Sequence, residues 1–429
     1  MVKRPFFGLL RPNLKCSVID TWEEDTIKEM PLPSRVTLHL KHPGAGSENF
    51  VIKAGDKVKT GQRLQFIKGN ETYLISPVTG TIAGISQYIG YLGRTCTSVS
   101  IDTAEEDQWD DEFSGGDKMP TRESALKYFK SFPGAPDFTS LLDFQRPVNT
   151  IVVMGVDNDV LISKNQLIVK IETDSLIEGI KYLKEITHTK RIVLVVATGS
   201  MTWRGGETVA EVKEIIPRYP NTLPQLIMKN ILGKVPSPGK RCEETGVGFI
   251  SAEAVVALAR AFSNGVMPLN KALTVINKDN RSANVRVRIG TSVRDILTAL
   301  QFETSHGDRL VLGGPMTGNT VHSEDSPVMY DTDAIMVQDK KQIIRVSDNQ
   351  CFNCGECVRA CPARIPVNML VRLLANGLYQ EAAEQYDLLS CIECGLCSYV
   401  CVARIPVFHY IMLGKHEFAR IEGVEEPNG

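Results

Sequence analysis

Continuous apolar runs of strand length recur through the middle of this chain, separated by stretches in which apolar residues return at helical spacing. TIVVMG (Thr150 to Gly155) and RIVLVVATG (Arg191 to Gly199) read as strands buried on both faces. Between them SLIEGIKYLKEI (Ser175 to Ile186) has the period of an amphipathic helix, and TVAEVKEII (Thr208 to Ile216) predicts another, stopped by Pro217. Strand-helix-strand succession predicts an α/β layer with a parallel sheet over residues 119–265. Upstream, within residues 1–100, short alternating runs meet the turns KAGDKVKTGQ (Lys53 to Gln62) and SPVTGTIAGI (Ser76 to Ile85), the pattern of a small β-sandwich. Downstream, over 266–345, ALTVIN, ANVRVRIG and RLVLGGPMTG surround a helix at VRDILTAL (Val293 to Leu300), which predicts a compact β-grasp-like module.

Composition narrows the function more than the fold. With 48 basic against 50 acidic residues the net charge is −2, which gives no global attraction to nucleic acid or an anionic membrane. Asp102 to Asp117 holds eight carboxylates, so residues 101–118 read as a solvated acidic linker. The basic N-terminus, MVKRPFFGLLRPNLKC, lacks the apolar core and cleavage site of a signal peptide, and no apolar run reaches about 18 residues. The expectation is a soluble or peripheral protein kept in the cytoplasm.

Cysteine departs from the ordinary. Eight of eleven lie between Cys351 and Cys401, in CFNCGECVRACPARIPV (Cys351 to Val367) and CIECGLCSYVCVARIPV (Cys391 to Val407). Each copy reads CxxCxxCxxxC, too tight for a secreted disulfide framework but suited to cluster ligation. Three thiolates within seven residues can wrap one face of a cubic iron–sulfur cluster, while the fourth points away to the other cluster. The expected sets are Cys351, Cys354, Cys357 and Cys401 for one [4Fe–4S] centre, and Cys391, Cys394, Cys397 and Cys361 for the second. Zinc is the rival ligand, but zinc ribbons pair two CxxC knuckles and do not need this crossing. Gly355 and Gly395 follow the second cysteine of each copy, where the chain must wrap closely. The intervening VNMLVRLLANGLYQEAAEQYDLL predicts a helical hairpin broken at Gly377, so that 346–429 forms an α-helical ferredoxin-like module. Cys16, Cys96 and Cys242 read as isolated buried thiols. His409 and His416 read as surface residues of a last helix, and Arg364, Arg404 and Lys415 as a basic face open to solvent or to an acidic ferredoxin.

PLPSRV (Pro31 to Val36), AGDKVKTGQ (Ala54 to Gln62), SPVTGTI (Ser76 to Ile82), VRIGT (Val287 to Thr291), GGPMTG (Gly313 to Gly318) and CIECGLCSYVC (Cys391 to Cys401) together resemble the RnfC family, the C subunits of Rnf ion-translocating electron-transport complexes. The resemblance spans nearly the whole chain. It implies a multidomain α/β plus β protein, ordered as a lipoyl-like barrel-sandwich, a Rossmann-like flavin domain, a β-grasp SLBB-like domain and a dicluster ferredoxin module. It also implies a peripheral subunit on the cytoplasmic face of the membrane, coupling ferredoxin oxidation to ion translocation, usually with NAD as acceptor. Only Lys68 lies where a lipoyl-type arm would attach, so no swinging arm is expected.

The family cradles FMN and NADH in three loops, and here all three depart from its pattern. SFPGAPDF (Ser131 to Phe138) keeps only Gly134; GVDNDVLIS (Gly155 to Ser163) keeps Asp157 and Asp159 in place of glutamates; YPNTLPQLI (Tyr219 to Ile227) has no glycine. A flavin phosphate needs free backbone N–H groups, so Gly134, Gly155, Asp157 and Asp159 read as a vestigial site. GSMTWRGGE (Gly199 to Glu207) lacks a dinucleotide fingerprint and reads as a surface turn. The expected function is relay of electrons through two clusters, between a ferredoxin-like or cytochrome partner and Rnf-type membrane subunits, with no nucleic acid involved. The alternatives are a flavin-dependent NADH oxidoreductase subunit or soluble reductase, and a non-catalytic docking subunit.

Overall fold

The computed structural model describes residues 12, 14–16, 26–41, 51–65, 73–90, 93, 95–114, 119–199 and 209–423. Lys68, the one site for a lipoyl-type arm, residues 200–207 of the expected surface turn and Thr208 at the start of the expected helix lie outside them. The buried apolar runs form a four-stranded parallel sheet in the order Glu211–Ile215, Arg191–Ala197, Thr150–Met154, Val247–Ser251. Every residue of Thr150–Met154 is buried, as a central strand covered on both faces must be. The helix Thr173–Thr187 lays Leu176, Ile180 and Leu183 against the sheet and abuts Ala252–Asn264 at Gly179, where a Cβ would overlap the Val255 carbonyl.

One expected helix is a strand. Glu211–Ile215 pairs in parallel with Arg191–Ala197 at the sheet edge, where Glu211 bonds Arg191 instead of starting a helical turn. Edge strands tolerate such charges, and ladder pairing with a long apolar neighbour outweighs a weak local helical preference.

A second, six-stranded mixed sheet runs Asn319–Val321, Arg309–Leu312, Ala334–Gln338, Asn270–Ile276, Ser282–Arg288, Lys28–Glu29. Its last strand comes from the N-terminal segment, and Leu14–Lys15 pairs with Arg218–Tyr219 beside the parallel sheet. Residues 14–15 and 28–29 therefore serve other sheets and are not part of the sandwich that 1–100 was expected to form. The sandwich proper joins Arg35–Lys41, Thr95–Thr103, Gly80–Ile89 and Lys57–Val58 to the hairpin Arg63–Gln65 and Tyr73–Ile75, around Val36, Leu38, Ile82, Val99 and Ile101.

The acidic segment is ordered over much of its length. Strand Thr95–Thr103 runs into it, Asp107 accepts from the Thr60 hydroxyl, and Phe113 is buried against Tyr128, Phe129 and Phe262. Asp102, Glu105, Glu106, Asp107, Asp111 and Glu112 are exposed, while its two aromatics, Trp109 and Phe113, make contacts that a solvated linker would not.

Four charged side chains pin the parallel sheet's helices to the mixed sheet. Lys164 and Lys271 both donate to Glu253 Oε2 at 2.5 Å, and both reach Asp333 Oδ1, at 2.9 and 3.0 Å. Glu253 Oε1 takes the Ala272 N–H at 2.6 Å, so the carboxylate is fully used. Although burial favours the neutral amine, Asp333, Glu253 and Asp157 hold Lys164 protonated and above its ordinary range.

Candidate cluster-binding site

The repeated sequence folds twice into the same backbone path. Between the first two cysteines a residue takes a left-handed conformation, Asn353 at φ 55° and Glu393 at 58°. Gly355 and Gly395 follow at φ 74° and 68°, the conformation only glycine adopts freely, and open the short helices Glu356–Ala360 and Leu396–Tyr399. The third cysteine sits in each short helix and the fourth just beyond it. Arg364 and Arg404, at φ 59° and 58°, turn the chain into the helices Val367–Ala375 and Val407–Ile421. With Tyr379–Gln385, and Gly377 breaking the hairpin at φ 72°, these helices bury Ile365, Leu370, Leu374, Ile405 and Ile411 between the two cysteine loops.

The two loops cross. Cys351, Cys354 and Cys357 from the first copy and Cys401 from the second line one opening, walled by Phe352, Val371, Ile405 and Val407. Burial, then repulsion from Cys351, Cys354 and Cys401, pushes the Cys357 thiol up to about 11. On the other side Cys394 is pushed up to about 12 by burial and by Cys391 and Cys361, and Cys397 is raised well above its usual value by burial and by Cys391 and Cys394. Thiols so placed hold their protons until a cation takes them, and a bound centre releases those protons. Among the described residues no three His, Cys, Asp or Glu side chains gather as a chelate for a single metal ion. Four thiols around one opening suit a group with several metal atoms, each taking one sulfur.

The two halves differ in surroundings. Cys394 and Cys397 are 7% and 8% exposed, whereas Cys354 is open to solvent. A Cβ at Gly395 would overlap the Met316 carbonyl oxygen, so the loop after Arg309–Leu312 rests directly on the second copy. Tyr219, 1% exposed, donates its hydroxyl to the Cys394 carbonyl at 2.6 Å and packs with Cys16, Leu223, Leu396 and Val400. Burial, then the charge of Asp159, raises the phenol far above its usual range, so it keeps the proton it donates. Lys415 donates to the Cys391 carbonyl at 2.7 Å and pairs with Glu393 at 2.6 Å. It braces the loop from within and is not part of a docking face with Arg364 and Arg404. His409 is exposed on the last helix, and Cys16, Cys96 and Cys242 are buried thiols.

The four residues expected at a vestigial flavin site all bond within the protein. Gly134 donates its N–H to Tyr330 O at 3.0 Å, accepts from Ser251 Oγ at 2.9 Å, and has no room for a Cβ against that hydroxyl. Gly155 N–H donates to Val195 O at 2.8 Å, continuing the sheet. Asp157 accepts from the Asn165 N–H at 3.0 Å at the start of helix Lys164–Ile171. Asp159 accepts from the Met316 and Thr317 N–H groups and the Thr317 hydroxyl at 2.9–3.1 Å, and its carboxylate fills the space above Gly314. Asp159 thus clamps the GGPMTG loop that rests on Gly395.

A family model described as the RnfC barrel sandwich hybrid domain matches residues 19–106, and one described as a 4Fe-4S dicluster domain matches residues 343–402. The C subunit of the ion-translocating oxidoreductase complex of Pectobacterium carotovorum subsp. carotovorum (strain PC1) is 26% identical over 375 residues, covering 83% of this chain and 50% of that protein. Over 83% of its length the chain is thus similar to proteins named as C subunits of ion-translocating oxidoreductase complexes. It spans about half the length of the first curated relatives it matches. The C subunit of the proton-translocating ferredoxin:NAD(+) oxidoreductase complex of Clostridium ljungdahlii is 23% identical over 391 residues, covering 85% of this chain and 83% of that one. The NAD+-reducing [NiFe]-hydrogenase in its H2-reduced state aligns with TM-score 0.46 at 12% identity, covering 74% of this chain and 69% of that one. Among the described residues no helix is long and apolar enough to cross a membrane.

The contacts that Tyr219, Met316 and Lys415 make with the second cysteine loop carry no signal in the sequence, because each depends on how separate segments fold together. Asp159 gives a test of the clamp. Burial, against the donors of Thr317, Val160 and Met316, pushes its carboxyl up to about 6 from 3.8. The folded state therefore takes this proton first, and the group adds stability as pH falls from about 6 to about 4, on the order of 3 kcal/mol. Denaturation midpoints of Asp159→Asn followed over pH 4–8 will lack that part of the wild-type slope. Equal slopes in the two proteins would show that Asp159 is not buried as a clamp.

Proposed function

We propose that this chain is the electron-relaying subunit of an Rnf-type ion-translocating complex. It works through two [4Fe–4S] clusters, one held by Cys351, Cys354, Cys357 and Cys401 and the other by Cys391, Cys394, Cys397 and Cys361. The crossing of the fourth cysteine between the two copies carries this reading. Bound there, each cluster supplies one-electron transfer. The chain's own part is to wrap the sulfurs with loop N–H groups, as the Glu393 N–H does at 3.4 Å from Cys391 Sγ, and to keep water from the second set. In this reading the chain sits peripherally on the cytoplasmic face of the membrane, beside other Rnf-type subunits, with a ferredoxin-like or cytochrome partner. The three other units act as lipoyl-like, Rossmann-like and β-grasp SLBB-like scaffolds.

NAD appears in the name of the Clostridium ljungdahlii relative, but the residues here do not fit a flavin and NADH site. The N–H groups of Gly134 and Gly155 that a phosphate would need already donate within the protein, and Asp159 is committed to Thr317. We read this site as closed, its loops reused to hold the second cysteine copy. Anaerobically purified protein should contain about eight irons and eight sulfides per chain, and far fewer would overturn the cluster reading. Acid extraction should release no stoichiometric FMN; a yield near one per chain would reopen the flavin site.

A further inference from the structure

Because the cysteine repeat is internal, each position in one copy has a counterpart forty residues on, and the counterparts differ in what covers them. In the second copy Ile392, Cys394, Gly395 and Leu396 lie under Tyr219, Leu223 and Met316. In the first copy the matching Phe352 is 65% exposed and Cys354 is open, and Val402 of the second copy, 49% exposed, stands on this same side. Phe352 and Val402 both border the opening lined by Cys351, Cys354, Cys357 and Cys401. Val346, 66% exposed, is held beside them because Ser347 donates its N–H to Arg404 O at 3.0 Å and its hydroxyl to Ala403 O at 2.7 Å. A phenylalanine bared next to an open thiol set exposes apolar area that a covered copy of the same motif does not.

The rim of this patch is basic. Arg345 and Arg404 are exposed, and their guanidinium groups make no ion pair among the described residues. Glu356 is neutralised by Arg359 at 2.6 Å, which leaves Asp348 as the opposing carboxylate in the segment. An apolar centre over a redox group with a charged margin is what a short-lived electron-transfer encounter requires, since such interfaces are small and steered by charge.

We propose that the face formed by Phe352, Val402 and Val346, rimmed by Arg345 and Arg404, docks a small redox protein with carboxylates around a surface one-electron centre. This rests on the cluster reading above. One electron leaves the partner's reduced centre, which is oxidised by one, and enters the cluster held by Cys351, Cys354, Cys357 and Cys401. The sealed second set then lies on the path inward.

The test uses the full chain, purified anaerobically, with reduced acidic [4Fe–4S] ferredoxin as donor in stopped-flow and titanium(III) citrate as a small donor that needs no docking. Val346→Ser and Arg345→Glu should each lower the second-order rate with ferredoxin by at least about tenfold, leaving iron content and the titanium rate unchanged. Raising the salt concentration should slow ferredoxin in the wild type, and ferredoxin should protect the Phe352 peptide from hydrogen exchange. Wild-type ferredoxin rates in both variants at full iron content would overturn the docking face while leaving the clusters standing. A wild-type dimer that Val346→Ser dissociates would also overturn it, in favour of contact between copies. Absence of iron from the wild type would instead overturn the parent reading, and this one with it.

Discussion

Glu253→Gln will destabilise the junction of the two central sheets by about 3–5 kcal/mol, the cost of removing one partner from a buried ionic group. Glu253 is 5% exposed, and its Oε2 takes both Lys164 and Lys271, which are 1% and 0% exposed. The amide can accept one ammonium at most and turns a donor toward the other, so an uncompensated charge stays buried. Burial pulls the Asp333 carboxyl upward, but the two lysines hold it well below its usual range, and it cannot neutralise both alone. The expected results are a lower urea midpoint and early proteolytic cleavage between residues 252 and 271, where the chain passes from the parallel to the mixed sheet. A wild-type midpoint would mean that water reaches these groups and screens the unpaired charge. Replacing all four charges together by apolar residues of similar volume should cost less than the single change, because no unpaired ion then remains.

Cys361→Ala will remove one cluster, and the cluster lost will be the one that Cys397→Ala also removes. The first copy supplies Cys361, but it is Cys391 and Cys394 of the second whose thiols its charge raises. Iron should fall from about eight to about four per chain in either variant, with the same signal missing from the electron paramagnetic resonance spectrum of the reduced protein. Cys357→Ala and Cys401→Ala should form the complementary pair. If Cys361→Ala matched Cys357→Ala instead, each copy would hold its own cluster and the crossing would be wrong. Stability should fall as well, since Ile365, Leu370, Ile405 and Ile411 pack between the cysteine loops and lose their fixed ends when a cluster leaves.

Much of the cysteine module was legible because its rules are local. The CxxCxxCxxxC spacing, a glycine where φ must be positive and a break at Gly377 act within a few residues, and the structure repeats the same path for both copies. Thr150–Met154 and Arg191–Ala197 were legible for a similar reason, since an unbroken β-branched run has few uses other than a buried strand. Glu211–Ile215 was not. Its mixed charges suit a helix by local period, and only the neighbouring strand Arg191–Ala197, distant in the chain's local pattern, draws it into the sheet. The acidic segment misled in the opposite way: its carboxylates spoke for solvent, while Phe113 found a pocket made by residues 128, 129 and 262.

From the sequence by itself came the number and spacing of the thiols, the expectation that they form two crossed sets, the expected order of the units, and the scarcity of glycine in the loops around Gly134, Asp157 and Tyr219. Tertiary structure alone decided what those loops do now. Asp159 holds the Met316 loop over Gly395, Tyr219 reaches the Cys394 carbonyl, and Phe352 is left bare. The physical reason is range. Turn and ligand chemistry is settled between neighbours in sequence, whereas burial, and with it the difference between two nearly identical cysteine loops, depends on which distant surface folds over each.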